Sequence, residues 1–174
     1  MKNVKRTLAF TLSLLLMLSL SASAFAAQYS FTEDFVRDIN ETTGFDCSVR
    51  DIWTDSSGNK YEPVDLVYTG GEFSAYKTRL TVLFCEDGSE VTLNLFNLIN
   101  FDGSRTDDVI NAVNDYNASS TGVKLFVDLS DNSVTAEMYT LATPETATGI
   151  AETAVGFIIA FTDAAYEALR DFSI

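Results

Sequence analysis

The chain has 174 residues, with 11 basic and 25 acidic side chains, a net charge of −14 and no histidine. Without histidine it lacks the usual general base of Ser-His-Asp and Cys-His catalysis and the commonest zinc ligand. The negative charge disfavours binding to nucleic acid or anionic lipid head groups, which requires clustered lysine and arginine.

Residues 1–26 have the pattern of a secretory signal peptide. Lys2, Lys5 and Arg6 precede an apolar run, and Ala24-Phe25-Ala26 has the A-x-A form of a cleavage site. The run is too short for a permanent membrane anchor, which takes about 20 residues. We therefore expect a single mature domain, residues 27–174, that is extracellular, periplasmic or in the cell envelope and has no integral membrane segment. The mature domain keeps eight basic and 25 acidic residues, a net charge of −17.

The first half of the mature chain predicts a helix followed by strands. Ser30 and Glu33 match a capping box, an apolar face recurs at helical spacing, and Gly44 is suited to end the helix. Strands are then predicted at 47–53, 61–69, 76–85 and 90–98, with a hairpin at Asp87-Gly88. Pro63 predicts a late start or an edge position for the second strand.

The second half predicts a helix, a hairpin and a closing helix. Acidic residues at Thr106-Asp107-Asp108 suit a helix N-terminus, and the hairpin strands are predicted at 123–129 and 133–141. The final helix has apolar residues at helical spacing, which are Ile150, Ala154, Phe157, Ile158, Phe161, Ala165 and Leu169. This apolar face is expected to pack into the core, and a dimer contact is the alternative. The order α-β-β-β-β-α-β-β-α predicts an α+β fold with an antiparallel sheet packed against about three helices.

Two cysteines, Cys47 and Cys85, could form a disulfide in an oxidising compartment. They can meet if they lie at the ends of neighbouring antiparallel strands. They cannot meet if a third strand lies between them, in which case both are free thiols.

Three segments of the chain form a distinctive set: Val109–Asn117 with its Asn-Asp-Tyr-Asn end, Val123–Asp128, and the hairpin Cys85-Glu86-Asp87-Gly88. Together they resemble the YbjN-type family of bacterial sensory-transduction regulators. The resemblance covers roughly residues 76–171. It implies the fold of type III secretion chaperones, binding to other proteins and a tendency to dimerise, and it carries no catalytic residues. Typical members are cytoplasmic, so the predicted export of this chain is a departure.

Other functions have weaker support in the sequence. Acidic turns at Asp55–Asn59 and Asp128–Asn132 contain oxygen ligands for calcium, but turns favour these residues for their own hydrogen bonds. A calcium-dependent or structural envelope protein is therefore the alternative interpretation. A hydrolase that uses a pair of carboxylates comes third, because such chemistry needs no histidine.

The strands also predict a candidate binding surface. If Val91, Leu93 and Leu95 face the core, alternation places Phe96, Phe126 and Tyr139 on the other face of the sheet among polar neighbours. Exposed aromatic residues of this kind are typical anchors of protein interfaces, although a helix could equally cover them. The sequence thus favours an exported, non-enzymatic module without a cofactor. Its partner is expected to be another protein, or a second copy of the chain as a homodimer.

Overall fold

A computed structural model describes residues 27–43, 45–68 and 79–174. The predicted signal peptide, Gly44 and the predicted break at Gly70-Gly71 lie outside the described residues. The helices are α1 (Ser30–Thr42), α2 (Thr106–Ser119) and α3 (Ala147–Leu169), and 3-10 turns span Gly103–Arg105 and Arg170–Phe172. The strands are β1 (Phe45–Val49), β2 (Trp53–Thr54), β3 (Lys60–Tyr68), β4 (Arg79–Cys85), β5 (Glu90–Asn100), β6 (Lys124–Asp128) and β7 (Ser133–Leu141).

The strands form one antiparallel sheet in the order β1-β3-β4-β5-β7-β6, and β2 also pairs with β3. This confirms the predicted α+β class and antiparallel sheet. The first predicted strand is wrong in detail, since β1 ends at Val49 and β2 begins only at Trp53. The intervening residues 50–52 lie outside the strands and form one wall of a groove.

Pro63 lies within β3 and not at a late start or an edge as predicted. It pairs with Leu83 of β4, while its carbonyl accepts the Arg50 N–H at 2.9 Å on the other side. On this side β3 pairs with β1 as far as Val64 and with β2 from Tyr61, so residues 62–63 lie opposite the gap between the two strands. The missing N–H of proline therefore faces the gap between β1 and β2, where no ladder hydrogen bond is lost.

One face of the sheet carries the hydrophobic core, and all three helices contribute to it. Val91, Leu93 and Leu95 of β5 are at most 1% exposed, as alternation predicts. At the α1 end of this face, the fully buried Phe84 ring lies 5.8 Å from Phe31 and 5.2 Å from Phe35, measured between centroids. Such tilted and edge-on ring pairs add to the stabilisation that apolar burial provides.

The start of α1 corrects the predicted capping box. Tyr29 occupies the N-cap position and no side chain of the cap accepts a hydrogen bond, so Ser30 is not the cap. Instead, the Glu62 carboxylate of β3 accepts the N–H groups of Gln28 at 2.5 Å and Tyr29 at 3.1 Å. A side chain distant in sequence thus satisfies N–H groups just before the helix, and no local pattern could reveal that.

The final helix presents a different face from the one predicted. Its buried residues are mostly small, namely Ala147, Ala151, Ala154, Val155, Ile158, Thr162, Ala165 and Leu169. Phe157 and Phe161 are 50% and 41% exposed, so assigning them to the buried face was wrong. Small residues let the helix approach β5 closely, which leaves the two large rings on its outer side. By length and composition Ala147–Phe172 could also cross a membrane, a test that core helices of water-soluble domains pass too.

Asn117 joins α2 to β6 through two backbone hydrogen bonds. Its side-chain nitrogen donates to the Leu125 carbonyl and its side-chain oxygen accepts the Leu125 N–H, both at 2.8 Å. Asn117 lies inside the helix and is not one of the positive-φ residues, so its role here is this side-chain bridge and not a helix-ending turn. The Asn-Asp-Tyr-Asn segment therefore has a structural explanation, which is to hold the edge strand β6 against α2.

Candidate protein-binding face

The face of the sheet opposite the core, here called the open face, carries the three aromatic residues singled out by the sequence. Phe96, Phe126 and Tyr139 are 39%, 50% and 55% exposed. The helices that the structure describes pack on the other face, so none of them covers these rings. The alternative in which a helix buries the three aromatics is thereby corrected.

The three rings form a pair and a separate residue. Phe126 of β6 pairs with Thr135 of β7. On the other side of β7, Leu95 pairs with Ala136, which places the next residue, Phe96, beside Thr135. Phe96 and Phe126 therefore flank Thr135 at about two strand spacings, or ~10 Å. Tyr139 lies four residues further along β7, roughly 13 Å away. The structure thus divides the predicted patch into two parts.

Tyr139 belongs to a small network centred on Glu90. Its hydroxyl donates to one Glu90 carboxylate oxygen at 2.9 Å, and the Tyr61 hydroxyl donates to the other at 2.6 Å. These hydrogen bonds raise the pKa of both phenols, and for Tyr61 burial adds to the effect. The exposed Trp53 ring lies 5.5 Å from Tyr61. These hydrogen bonds hold the rings of Tyr61 and Tyr139 in place at this end of the open face, beside Trp53.

Between the two aromatic regions the open face contains a groove of about 800 Å³. Its lining combines apolar and charged side chains from the β1–β2 connection and the sheet: Val49, Arg50, Asp51, Ile52, Trp53, Pro63, Leu83, Asn94 and Phe96. The sequence prediction missed this groove because it extended the first strand through residues 50–52. Pro63 was the available signal, since a proline inside a strand requires a neighbouring gap in the ladder.

A row of polar side chains crosses the open face beside the groove. Register places Asp65, Thr81, Asn94 and Glu137 next to one another on β3, β4, β5 and β7. The Asp65 carboxylate accepts the Thr81 hydroxyl at 2.7 Å and pairs with the Arg50 guanidinium at 3.1 Å. Because Asp65 and Thr81 are buried, this ion pair anchors the groove wall to the floor.

Glu137 is the carboxylate of this row without a described partner. Lys124 is its register neighbour on β6, but the Lys124 ammonium donates instead to the carbonyls of Asn117 at 2.7 Å and Ser120 at 2.5 Å. Partial burial raises the pKa of Glu137 above its ordinary value. A half-buried carboxylate without a cation favours the approach of a positively charged group from outside.

The row does not have the geometry of a carboxylate-pair hydrolase. Asp65 and Glu137 are three strand spacings apart, about 14 Å, whereas glycoside hydrolysis uses carboxyl groups about 5–9.5 Å apart. Asp65 is also occupied by Arg50 and Thr81. These two carboxyl groups therefore do not form such a pair.

The cysteines are free and lie on opposite faces of the sheet. Cys47 pairs with Leu66 and Cys85 with Tyr61, so β3 lies between them and their partners are five residues apart. The separation is roughly 16 Å along the strands and 10 Å across them, beyond the ~7 Å limit for a disulfide. Of the two alternatives that the sequence leaves open, the structure therefore has the free thiols and not the Cys47–Cys85 disulfide. Burial raises the pKa of the Cys47 thiol to about 11 and also raises that of Cys85.

The acidic turns use their carboxylates locally. Asp55 accepts the N–H groups of Ser57 at 2.8 Å and Asn59 at 2.9 Å, and Asp128 accepts the N–H of Ser130 at 2.8 Å. Desolvation raises the pKa of Asp55, but its hydrogen bonds, above all the one from the Asn59 side-chain amide at 2.9 Å, outweigh this and hold that pKa below its ordinary value. The Ser130 hydroxyl is the main cause of the lowered pKa of Asp128. Among the described residues, no group of three or more Cys, Asp or Glu is placed to hold a metal ion.

The chain was also compared with known proteins. No family model, no curated protein and no solved structure matches it. The function proposed for it therefore depends on its own residues and their arrangement.

Proposed function

We propose that the protein is an exported, non-enzymatic binding module of YbjN-like type that holds a segment of another protein on its open face. One observation carries this proposal: six large apolar side chains are exposed on that face, Trp53, Val67, Phe96, Phe126, Tyr139 and Leu141. Single exposed apolar residues are ordinary, but several on one face of a sheet, two of which (Trp53 and Phe96) line a groove, are typical of interaction sites.

The chemistry of the groove indicates what the bound segment contains. Ile52, Pro63 and Leu83 provide an apolar surface on which an aliphatic or aromatic side chain can be desolvated. Asp51 is exposed at the rim, and the unpaired Glu137 lies next to Asn94 of the lining. A segment that combines an apolar anchor with lysine or arginine would satisfy both features. The net charge of −17 on the mature domain would speed its approach.

The same charge argues against a homodimer through this face. Two copies would bring like-charged surfaces together, which costs free energy unless cations intervene. A basic segment of a different protein is therefore the occupant that the open face favours.

The test is a comparison of variants in a binding assay. Mature protein is used to capture partners from the extracellular and envelope proteins of the source organism, and captured species are quantified for each variant. We expect Phe96→Ser and Phe126→Ser to reduce capture of the same partner at least tenfold while both proteins stay folded, because exposed anchors contribute more to binding than to stability.

Phe157→Ser and Phe161→Ser provide matched controls. Both rings are similarly exposed but belong to α3, which packs on the face of the sheet opposite the groove. Capture that falls equally in these variants, or that survives the open-face changes, would contradict the proposal. Capture that persists only for a second copy of the chain, seen as a dimer in sedimentation, would contradict the choice of a basic partner.

A further inference from the structure

Glu62 is a buried carboxylate for which the described part of the chain provides no positively charged side chain. It is 1% exposed and lies on the core face of β3, opposite Phe84. The described hydrogen bonds to its oxygens come from the backbone N–H groups of Gln28 and Tyr29, and no described lysine or arginine forms an ion pair with it. Burying a carboxylate in this way is costly unless a cation or further donors compensate.

The nearest described base in the sequence is used elsewhere. Lys60 pairs with Glu86 at 3.2 Å, and both side chains are about half exposed. Among the described residues, Glu62 therefore has backbone N–H donors but no side-chain cation, and a positive charge at this position would be stabilised.

The predicted cleavage site supplies such a charge at this position. Hydrolysis of the peptide bond between Ala26 and Ala27 by a signal peptidase adds water. Ala26 leaves with a carboxylate, and Ala27 keeps an amine that is protonated at neutral pH. The Gln28 nitrogen lies 2.5 Å from one Glu62 oxygen. The Ala27 nitrogen is about 3–3.7 Å further along the backbone.

We infer that cleavage before Ala27 creates an α-ammonium group that binds the buried Glu62 carboxylate and stabilises the mature domain relative to its precursor. In the precursor the Ala27 nitrogen is a neutral amide, so Glu62 has N–H donors but no cation. The inference rests on the predicted cleavage site and is independent of the binding function of the open face.

The test compares three amino termini on the folded domain: free Ala27, N-acetylated Ala27, and Ala27 preceded by one glycine. Acetylation removes the charge, and the added glycine displaces it by about 3.8 Å. We expect the free form to melt roughly 5–10 °C above the other two near pH 7. An ammonium with a raised pKa stabilises fully below its unfolded value of about 8, and the advantage disappears as the pH rises through the folded value.

Side-chain variants show whether Glu62 is responsible. In Glu62→Gln the three forms should melt together, whereas Glu86→Gln should leave the difference intact. If Glu62→Gln does not fold, NMR titration of the α-amino group in the unaltered protein gives the same information, because capture raises its pKa. Equal melting of the free and acetylated forms, an ordinary α-amino pKa, or a secreted protein whose mass shows a different first residue would each overturn the inference.

Discussion

The two faces of the sheet are made by alternate residues of the same strands, yet they differ in what they contribute. On the covered face Phe84, Leu93 and Val134 are fully buried beneath the helices. On the open face Phe96, Phe126 and Tyr139 remain between 39% and 55% exposed. Because a strand directs successive side chains to opposite sides, one sequence can encode a core and a binding surface with little interference.

Charge is also distributed differently between the faces. The open face has a polar row that ends at the unpaired Glu137, whereas the covered face has the buried acid Glu62 at the start of α1. Solvent and partners can reach the first carboxylate, but the second can be balanced only by the protein itself. This difference is consistent with the proposed external cation at the open face and with the inferred cation from the mature N-terminus at the covered face.

The largest expected contrast comes from removing one aromatic ring from each face. Phe84→Ala should lower the free energy of unfolding by about 3–5 kcal/mol, because it leaves a cavity between β4 and the rings of Phe31 and Phe35. Phe96→Ala removes a ring that already contacts solvent and should cost less than about 1 kcal/mol. Urea unfolding of both variants would measure the difference. Similar losses would show that something covers Phe96 in solution.

A smaller effect is expected from the ion pair that fixes the groove wall. Asp65→Ala leaves the buried Thr81 hydroxyl and the Arg50 guanidinium without this acceptor and should cost about 1–3 kcal/mol. It should also weaken partner binding, because residues 50–52 lose their anchor. The exposed Lys60–Glu86 pair is the control, and Glu86→Ala should cost at most about 1 kcal/mol. An Asp65 variant as stable as the Glu86 variant would disprove the anchoring role.

Local sequence patterns were sufficient for the class of fold and for the faces of the later strands. Alternation on β5, β6 and β7 correctly separates the buried Leu93, Leu125 and Val134 from the exposed Phe126 and Tyr139. The Asp87-Gly88 turn also forms, with Gly88 at a φ of 67° that favours glycine. These features depend on residues close together in the chain, which is why they can be predicted.

Features that depend on distant residues were not predicted. The groove needs the gap between β1 and β2 to face Pro63, and the start of α1 needs Glu62 from β3. The register of α3 is set by how closely alanines can approach β5, so apolar spacing alone wrongly buried Phe157 and Phe161. In each case the local sequence is compatible with more than one strand end, helix start or buried helix face, and tertiary packing selects one of them.

The smallest expected effect tests whether Glu137 is kept for binding at a cost to stability. Its pKa is raised by burial, so the unfolded chain ionises at lower pH than the folded protein, and ionisation disfavours the fold as the pH rises through both values. Glu137→Gln should therefore raise Tm slightly at pH 7 and leave it unchanged near pH 3, where the native glutamate is already neutral. Thermal unfolding at the two pH values measures this, with the exposed Glu33→Gln on α1 as a control for net charge.

The Glu137→Gln variant should also bind a basic partner more weakly, so a substitution that stabilises the domain would impair its function. A stabilised variant that binds as well as the unaltered protein would show that the partner places no cation at Glu137.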